Sequence, residues 1–303
     1  MLVTGYLHQH YAESLSEFGD PLLLPRSGGW LLLRRIEGAQ TDAMGIYPFF
    51  ACSNWNALPS DFQDLGDSLV SVVVVTDPFG EYDGALLRQC FPDAAAPFKS
   101  HFVADLAVSN GRATSKHHVR NSEIGLSNVA VEHCADPCAH LDDWVRLYDV
   151  LIQRHQISGI RAFSRYSFSQ QLETPGMVCF RALRDQRTVG MILWYVQGAV
   201  AYYHLGAYTD EGYELRASFA LFHTALDYFS QSGLHFASLG AGAGLTEDLD
   251  DGLARFKRGW STGTRPSYLC GRIFNRSEYD RFKLQRGVGE TSYFPAYRNG
   301  EFN

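Results

Sequence analysis

The sequence has no long apolar run. No segment of its 303 residues approaches the ~20 consecutive apolar residues that a membrane-spanning helix requires. The first residues, MLVTGYLHQHYAESLSEF, interrupt their apolar positions with His, Glu and Ser, so the pattern of a secretory signal peptide is also missing. These two absences predict a cytoplasmic protein without a membrane span.

An excess of positive charge is also missing. The formal net charge is -7, which gives no general basic field for binding a polyanion. A nucleic-acid partner would therefore need a local basic patch. By contrast, 46% of the residues are hydrophobic, which is enough for a substantial core, and the length predicts two domains or one duplicated unit.

Cysteines are few and scattered, with six in the whole chain. This distribution is unlike the dense disulfide framework of a small secreted domain, so we expect reduced thiols. His133, Cys134, Cys138 and His140 are residue types that could bind zinc, but they do not form two separated ligand pairs, and Asp136 before a proline is typical of a turn. We therefore predict a loop here and no metal site.

Several motifs of covalent or nucleotide chemistry are incomplete. Ser238 lacks the Gly-x-Ser-x-Gly elbow of a nucleophilic serine, and the glycine-rich run 240–244 lacks the Lys-Ser/Thr ending of a phosphate-binding loop. The sequence Asp-Pro-Phe-Gly at 77–80 has none of the companion motifs of a kinase and indicates a turn. A covalent acyl-enzyme is not expected.

The amino-terminal part contains short apolar segments. The run 69–76, LVSVVVVT, is almost continuously β-branched, which predicts a central strand buried on both faces. The other expected elements are helices over 6–18 and 83–90 and strands over 30–33, 46–52 and 101–108. Residues 110–127 are polar and basic, which indicates a connection between two units. Its cluster 116–120, KHHVR, either contacts a phosphate-bearing substrate or is a solvated linker.

The remaining sequence predicts helices around a meander of strands. Apolar residues recur with helical period over 138–156, and a second helix is expected at 167–172. Three strands joined by tight turns then form an antiparallel meander, followed by a helix and a strand; their ranges are 177–183, 188–196, 199–207, 216–232 and 235–239.

This order of elements resembles the second GNAT unit of Fem-type transferases. The resemblance rests on the meander with RDQRTVG at 184–190 and AYYHLGAY at 201–208, the helix after it, and FKRGW at 256–260. It implies an α+β fold of two GNAT-like units, each a mixed, largely antiparallel sheet flanked by helices. The expected domains are a degenerate amino-terminal unit, 1–110, and an acyltransferase unit, 111–303.

The resemblance also implies a reaction. The leading expectation is an N-acyltransferase that moves an acyl group from acyl-coenzyme A to an amine by direct attack, without a metal. The acceptor would be a small molecule or a glycan or peptide precursor. Two alternatives stay open: a transferase that depends on aminoacyl-tRNA, as Fem proteins do, which is the one case with a nucleic-acid partner, and a catalytically silent binding module of the same fold.

A donor site is expected where the meander leads into the helix at 216. Backbone N–H groups and the dipole of a helix amino terminus favour an anion. In GNAT proteins the donor's pyrophosphate lies at this turn, which Arg216, Ala217 and Ser218 occupy here, with Tyr208 at the end of the preceding strand. The glycine-rich form of the turn is missing. An ordinary strand-to-helix turn with a solvated Arg216 is the alternative.

Three residues are the catalytic candidates. By resemblance Lys257 lies beside the donor's phosphate or acyl group, where its compact charge suits a phosphate or an oxyanion; otherwise it pairs with Asp250 or Asp251 on the surface. Tyr202 could donate to an acyl carbonyl, and His204 could be a general base near neutral pH. Alternation along the strand places Tyr202 and His204 on one face; aromatic residues also suit strands without any catalytic role.

Overall fold

A computed structural model describes residues 2–108, 114–242, 244 and 251–301. The chain forms two compact units: unit 1 comprises Met1–His10 and Ser100–Arg265, and unit 2 comprises Tyr11–Lys99 and Pro266–Asn303. The compact units have boundaries at 10/11, 99/100 and 265/266, and the expected domains, 1–110 and 111–303, stay a prediction.

Helices and strands follow one another along the described chain singly or in short runs. The helices are α1 (Gln9–Glu13), α2 (Leu58–Leu65), α3 (Gly84–Cys90), α4 (Lys116–Asn128), α5 (Leu141–His155), α6 (Arg165–Glu173), α7 (Asp210–Glu214), α8 (Ala217–Gln231), α9 (Gly252–Arg258) and α10 (Arg276–Gln285). The strands are β1 (Asp20–Leu24), β2 (Gly29–Glu37), β3 (Gln40–Gly45), β4 (Ser71–Val75), β5 (Ala94–Asp105), β6 (Ala130–Cys134), β7 (Met177–Arg184), β8 (Arg187–Gln197), β9 (Val200–Tyr208), β10 (Phe236–Gly240) and β11 (Gly263–Ile273).

The sheet of unit 1 has the order β5-β10-β9-β8-β7-β6. All neighbours are antiparallel except β9 and β10, which are parallel. The predicted meander β7-β8-β9 is confirmed. Its first turn has positive φ at both Asp185 and Gln186, which matches the right-handed twist of the flanking strands, and its second turn uses Gly198 at φ 59°.

Different helices cover the two faces of this sheet. On one face, α8 is apolar around much of its circumference and packs Phe222 and Phe229 against Trp194 of β8. On the other face, α5 and α6 contribute Tyr148 and Phe168 to a separate aromatic cluster. Each face therefore has its own packing layer, and residues that alternate along β9 enter different layers.

Unit 2 repeats the strand order and directions of unit 1. Its strands follow the order β1-β2-β3-β4-β11, with an antiparallel meander β1-β2-β3, a parallel pair β3-β4 and an antiparallel partner β11. In unit 1 the neighbouring strands β7-β8-β9-β10-β5 have the same pattern of antiparallel and parallel pairs. The expectation of two mixed, largely antiparallel sheets flanked by helices is confirmed.

Several predicted elements differ from the structure, and one of them is the loop expected from His133, because His133 and Cys134 belong to strand β6. Residues 116–128, expected within a connection, form α4, capped by Ser115; the buried face of this helix consists of small and polar residues, so it lacks an apolar period. The strand expected at 46–52 is wrong: the strand lies earlier, at β3, and Phe50 forms only an isolated bridge with Thr76. The helix expected at 6–18 is reduced to a short 3₁₀ turn and α1.

Candidate functional site

The parallel strands β9 and β10 separate at the carboxyl end of their pairing. Their register comprises Phe236 with Val200, Ala237 with Ala201, and Ser238 with Tyr202. Strand β9 continues to Tyr208, and no further pair joins it to β10 among the described residues. Beyond Tyr202 the described part of β10 therefore forms no ladder with β9, and a strand edge that separates from its neighbour in this way can bond an extended ligand.

A register shift lies at the same place. Leu205 is opposite Leu193 of β8 and Tyr203 is opposite Trp194, so β9 carries one extra residue, His204, between these pairs. A β-bulge of this kind bends its strand and increases the local twist. We call residues 203–208, which contain the bulge, the open edge of β9.

Lys257 lies at the end of β10. Its helix, α9, is capped by Asp251, whose side chain accepts from the N–H groups of Leu253 and Ala254. The Lys257 side chain is only 6% exposed, and Nζ donates to the carbonyl oxygen of Ala241 over 2.7 Å. Asp251, one of the two acidic partners considered for it, caps α9 through its side chain. Asp250, the other partner considered for it, lies outside the described residues.

The ring of Tyr203 lies beneath this ammonium group. Nζ of Lys257 is 5.6 Å from the centre of the ring, within the range of a cation–π contact. The Tyr203 hydroxyl shares a hydrogen bond with the hydroxyl of Tyr208, and burial raises the pKa of both phenols. Both hydroxyls therefore keep their protons near neutral pH. They connect the Lys257 end of the strand with its carboxyl end.

The amino terminus of α8 follows soon after Tyr208. Arg216 caps this helix in a left-handed conformation, with φ 59°. The N–H groups of Ala217 and Ser218, the first two helical residues, have no acceptor within the helix. The guanidinium of Arg216 makes no ion pair or hydrogen bond with any residue that the structure describes. These groups together favour an anion.

Tyr202 and His204 lie in the other packing layer, with Tyr6. Because the amide oxygen of Gln171 can only accept, Nε2 of His204 carries the proton and donates to it over 3.0 Å. Nδ1 of His204 accepts from the Tyr6 hydroxyl over 3.2 Å, and the ring of Tyr6 packs edge-on against that of Tyr202. The prediction that Tyr202 and His204 share one face of the strand is confirmed.

The environment of His204 does not suit a general base. Burial lowers the pKa of the imidazole to about 3, and both ring nitrogens already have partners within the protein. A base near neutral pH needs a pKa close to that pH and an open nitrogen. The structure thus does not bring Tyr202 and His204 to Lys257, because successive residues of β9 face opposite layers.

Sequence reasoning gave no functional role to Tyr203. The candidates were its two neighbours, Tyr202 and His204. The alternation of the strand places Tyr203 on the opposite face, where it contacts α8 and α9. The available signal was this alternation along the strand.

In unit 2 the corresponding strands do not separate. After β3, the chain turns back and the N–H of Phe50 donates to the carbonyl oxygen of Val75, while the N–H of Asp77 donates to that of Phe50. These bonds extend the pairing of β3 with β4 beyond Met44 and Val73. The edge that is open in unit 1 is therefore filled in unit 2 by its own chain.

The sequence comparisons identify the domain. Residues 109–258 match the family described as the acetyltransferase (GNAT) domain. The chain carries a GNAT domain. This domain includes β9, β10, α8 and Lys257, so the candidate site lies within the matched residues. No curated protein matches the sequence.

Solved structures extend the likeness to both units. FemX has 13% identity and a TM-score of 0.67, over 93% of this chain and 94% of that one. The carboxy-terminal domain of a putative lysylphosphatidylglycerol synthetase from Agrobacterium fabrum has 14% identity and a TM-score of 0.57, over 88% of each chain. L-PGS from Bacillus licheniformis has 13% identity and a TM-score of 0.55, over 96% of this chain and 100% of that one. The fold is Fem-like.

Two further properties concern the described residues. None of the helices in those ranges is long and apolar enough to cross a bilayer. Within the same ranges, no three His, Cys, Asp or Glu side chains are grouped so that they could hold a metal ion. The possible zinc ligands have other contacts: Cys134 is opposite Cys179 in the sheet, and the ring of His133 packs on that of Tyr228.

Proposed function

We propose that this GNAT domain is an N-acyltransferase that uses an acyl-coenzyme A donor bound along the open edge of β9. The supporting observation is that this edge has a cation at each end. Lys257 lies at the Tyr203 end, and the start of α8 with the unpaired guanidinium of Arg216 follows the Tyr208 end. A donor with a thioester at one end and phosphates at the other matches that distribution of charge.

The chemistry is direct transfer. The nitrogen of a neutral amine attacks the thioester carbonyl, the C–S bond breaks, and the proton lost by the amine ends on the released thiol. The ammonium of Lys257 opposes the negative charge that develops on the carbonyl oxygen, an effect that is strong in a site with little water. Most of the remaining acceleration comes from holding the two substrates in line.

Each predicted site residue has a place in this proposal. Lys257 is the catalytic candidate, whereas Arg216, Ala217 and Ser218 bind the donor's phosphates and Tyr208 orients Tyr203. For Tyr202 and His204 we propose a structural role, because the imidazole of His204 is bonded to Tyr6 and Gln171 and the ring of Tyr202 packs on that of Tyr6. The acceptor is an amine on a small molecule or on a glycan or peptide precursor.

A second candidate function is transfer from aminoacyl-tRNA. The observation in its favour is a group of exposed cations on α4 and α9, namely Lys116, Arg120 and Arg255, which form no ion pair with a described residue. Such a patch can hold phosphates of a nucleic acid despite the negative net charge of the chain. The Fem-like fold is compatible with either donor.

Ligand-dependent unfolding tests these functions. We expect at least one ester from a panel of acyl-coenzyme A compounds to raise the melting temperature, since a ligand at 100 times its Kd stabilises by about 2.7 kcal/mol. Free coenzyme A and a nucleoside triphosphate of similar charge serve as controls for phosphate binding alone. No shift with any ester, together with a salt-sensitive gel shift by charged tRNA, would favour the second function. No response in either assay would leave a silent binding module.

A further inference from the structure

His118 joins two motifs that are far apart in the sequence, KHHVR at 116–120 and FKRGW at 256–260. Nε2 of His118 donates to the carbonyl oxygen of Phe256 over 2.9 Å, and Nδ1 accepts from the hydroxyl of Ser115 over 2.8 Å. A carbonyl oxygen can only accept, so this tautomer is the one that satisfies both bonds. Phe256 is the residue before Lys257.

The ring of His118 also fits closely between α4 and α9. Its centroid lies 5.1 Å from that of Phe219, 5.6 Å from Phe256 and 5.1 Å from Trp260. A Cβ on Gly259 would lie 2.0 Å from Cε1 of His118, so only glycine leaves room for this ring. The N–H of Ser115 donates to the carbonyl oxygen of Gly259 and completes the connection.

Helix α9 depends on such contacts for its orientation. It has seven residues, and a helix of this length has little stability of its own. His118 bonds the carbonyl group of the residue next to Lys257, while the Lys257 side chain extends to Ala241 and over Tyr203. Because Phe256 and Lys257 share a peptide bond, replacing His118 should shift the ammonium group of Lys257.

We propose that His118 is a positioning residue for Lys257, which sets the place of the ammonium group at the end of β10. The functional meaning of this role rests on the proposed acyl transfer, but the positioning itself can be measured without a donor. His118 touches neither substrate in this proposal.

The first experiment observes Lys257 directly. The sequence has four lysines, Lys99, Lys116, Lys257 and Lys283, so a protein labelled with ¹³C at lysine Cε gives few signals, and the Lys257→Met variant assigns one of them. His118→Phe keeps a ring but loses the donor to Phe256, whereas His118→Gln keeps an N–H donor. We expect the Lys257 signal to move in His118→Phe and to stay near its wild-type position in His118→Gln.

The second experiment measures donor affinity in a double-mutant cycle. With the ester that binds most tightly to the wild type, His118→Phe should weaken binding about tenfold, and His118→Gln by less than threefold. In the Lys257→Met background, His118→Phe should cause almost no further loss, because a residue that acts through Lys257 shows non-additive effects. A general loss of structure would instead weaken binding equally in both backgrounds.

The outcomes separate this inference from the proposed function. If the Lys257 signal moves as expected but no ester binds the wild type, the positioning role stands and the acyl-coenzyme A function fails. If esters bind and the Lys257 signal is unchanged in His118→Phe, the positioning role is overturned. Should His118→Phe not fold, Ser115→Ala removes the partner of Nδ1 with a smaller perturbation, and it must then move the same signal for the inference to hold.

Discussion

The ammonium group of Lys257 donates to the carbonyl oxygen of Ala241, immediately beyond the last residue of β10. Gly240 precedes this carbonyl with φ 77°, and a Cβ there would lie 3.0 Å from Nζ. The glycine thus gives the lysine access to the strand end. The backbone carbonyl group at the end of β10 thus holds this buried cation.

Replacing Lys257 should affect the donor more than the fold. We expect Lys257→Met to lower donor affinity about tenfold and turnover about 100-fold, the usual cost of losing one oxyanion-stabilising group. The free energy of unfolding should change by no more than about 2 kcal/mol, the scale of one hydrogen bond from a charged group. Titration calorimetry and urea unfolding measure the two effects, with Lys283→Met as the control. A large loss of stability with unaltered affinity would make Lys257 structural.

Replacing Arg216 by glycine should change stability and affinity in opposite directions. The left-handed conformation is costly for a residue with a Cβ, so Arg216→Gly should stabilise the fold by about 0.5–1 kcal/mol. Loss of the guanidinium should weaken binding of an acyl-coenzyme A ester several-fold, and less so at high salt.

Gln156 offers a matched control for this variant. It ends α5 with φ 49°, also left-handed, so Gln156→Gly should stabilise the protein to a similar extent without changing donor affinity. If both glycine variants bind the donor like the wild type, Arg216 has no part in the donor site.

His204 should make stability depend on pH. Burial holds the pKa of the folded state at about 3, below the ~6.5 of an exposed histidine, so the unfolded chain binds a proton first as the pH falls. The contribution is complete above pH ~6.5 and decreases by about 1.4 kcal/mol per pH unit down to pH ~3. Urea unfolding at several pH values should therefore show a flatter dependence in His204→Gln than in the wild type. His155→Gln, at an exposed site, controls for the loss of an imidazole, and equal slopes in all three proteins would contradict the burial of His204.

Gly206 and Tyr203 should be energetically coupled. A Cβ on Gly206 would lie 2.2 Å from the Tyr203 hydroxyl oxygen and 3.2 Å from the ring carbon that bears it. Gly206→Ala should therefore destabilise the protein by about 1–3 kcal/mol, as overpacking does. Tyr203→Phe removes the clashing oxygen, so the double variant should be more stable than Gly206→Ala alone. Additive effects would show that the ring moves aside freely.

The meander and α8 could be predicted from sequence because their signals are local. Apolar runs separated by two tight turns specify β7 to β9, and the apolar period of α8 ends at Gly233. Helix α4 lacked such a signal, since it buries His118, Asn121 and Gly125. Those residues are buried because α8 and α9 pack closely against them. A local sequence pattern does not reveal such tertiary contacts.

The candidate site was predictable in part for the same reason. Family resemblance led to Lys257 and to the start of α8, and strand alternation separated Tyr202 from Tyr203. The engagement of His204 could not be foreseen, because its partner Tyr6 is 198 residues away in the chain. A histidine next to tyrosines on a strand has the same local appearance whether it is a base or a buried donor.

The division of the chain has a consequence for protein synthesis. Unit 2 is formed from two segments that flank most of unit 1, and its strand β4 lies between β3 and β11. Translation therefore produces residues 100–262 of unit 1 before β11, which begins at Gly263 and continues into the last segment of unit 2. Most of unit 2 is thus translated before most of unit 1, but its sheet is complete only when β11 follows, and until then β4, in which four of five residues are valine, lacks the strand partner on one edge.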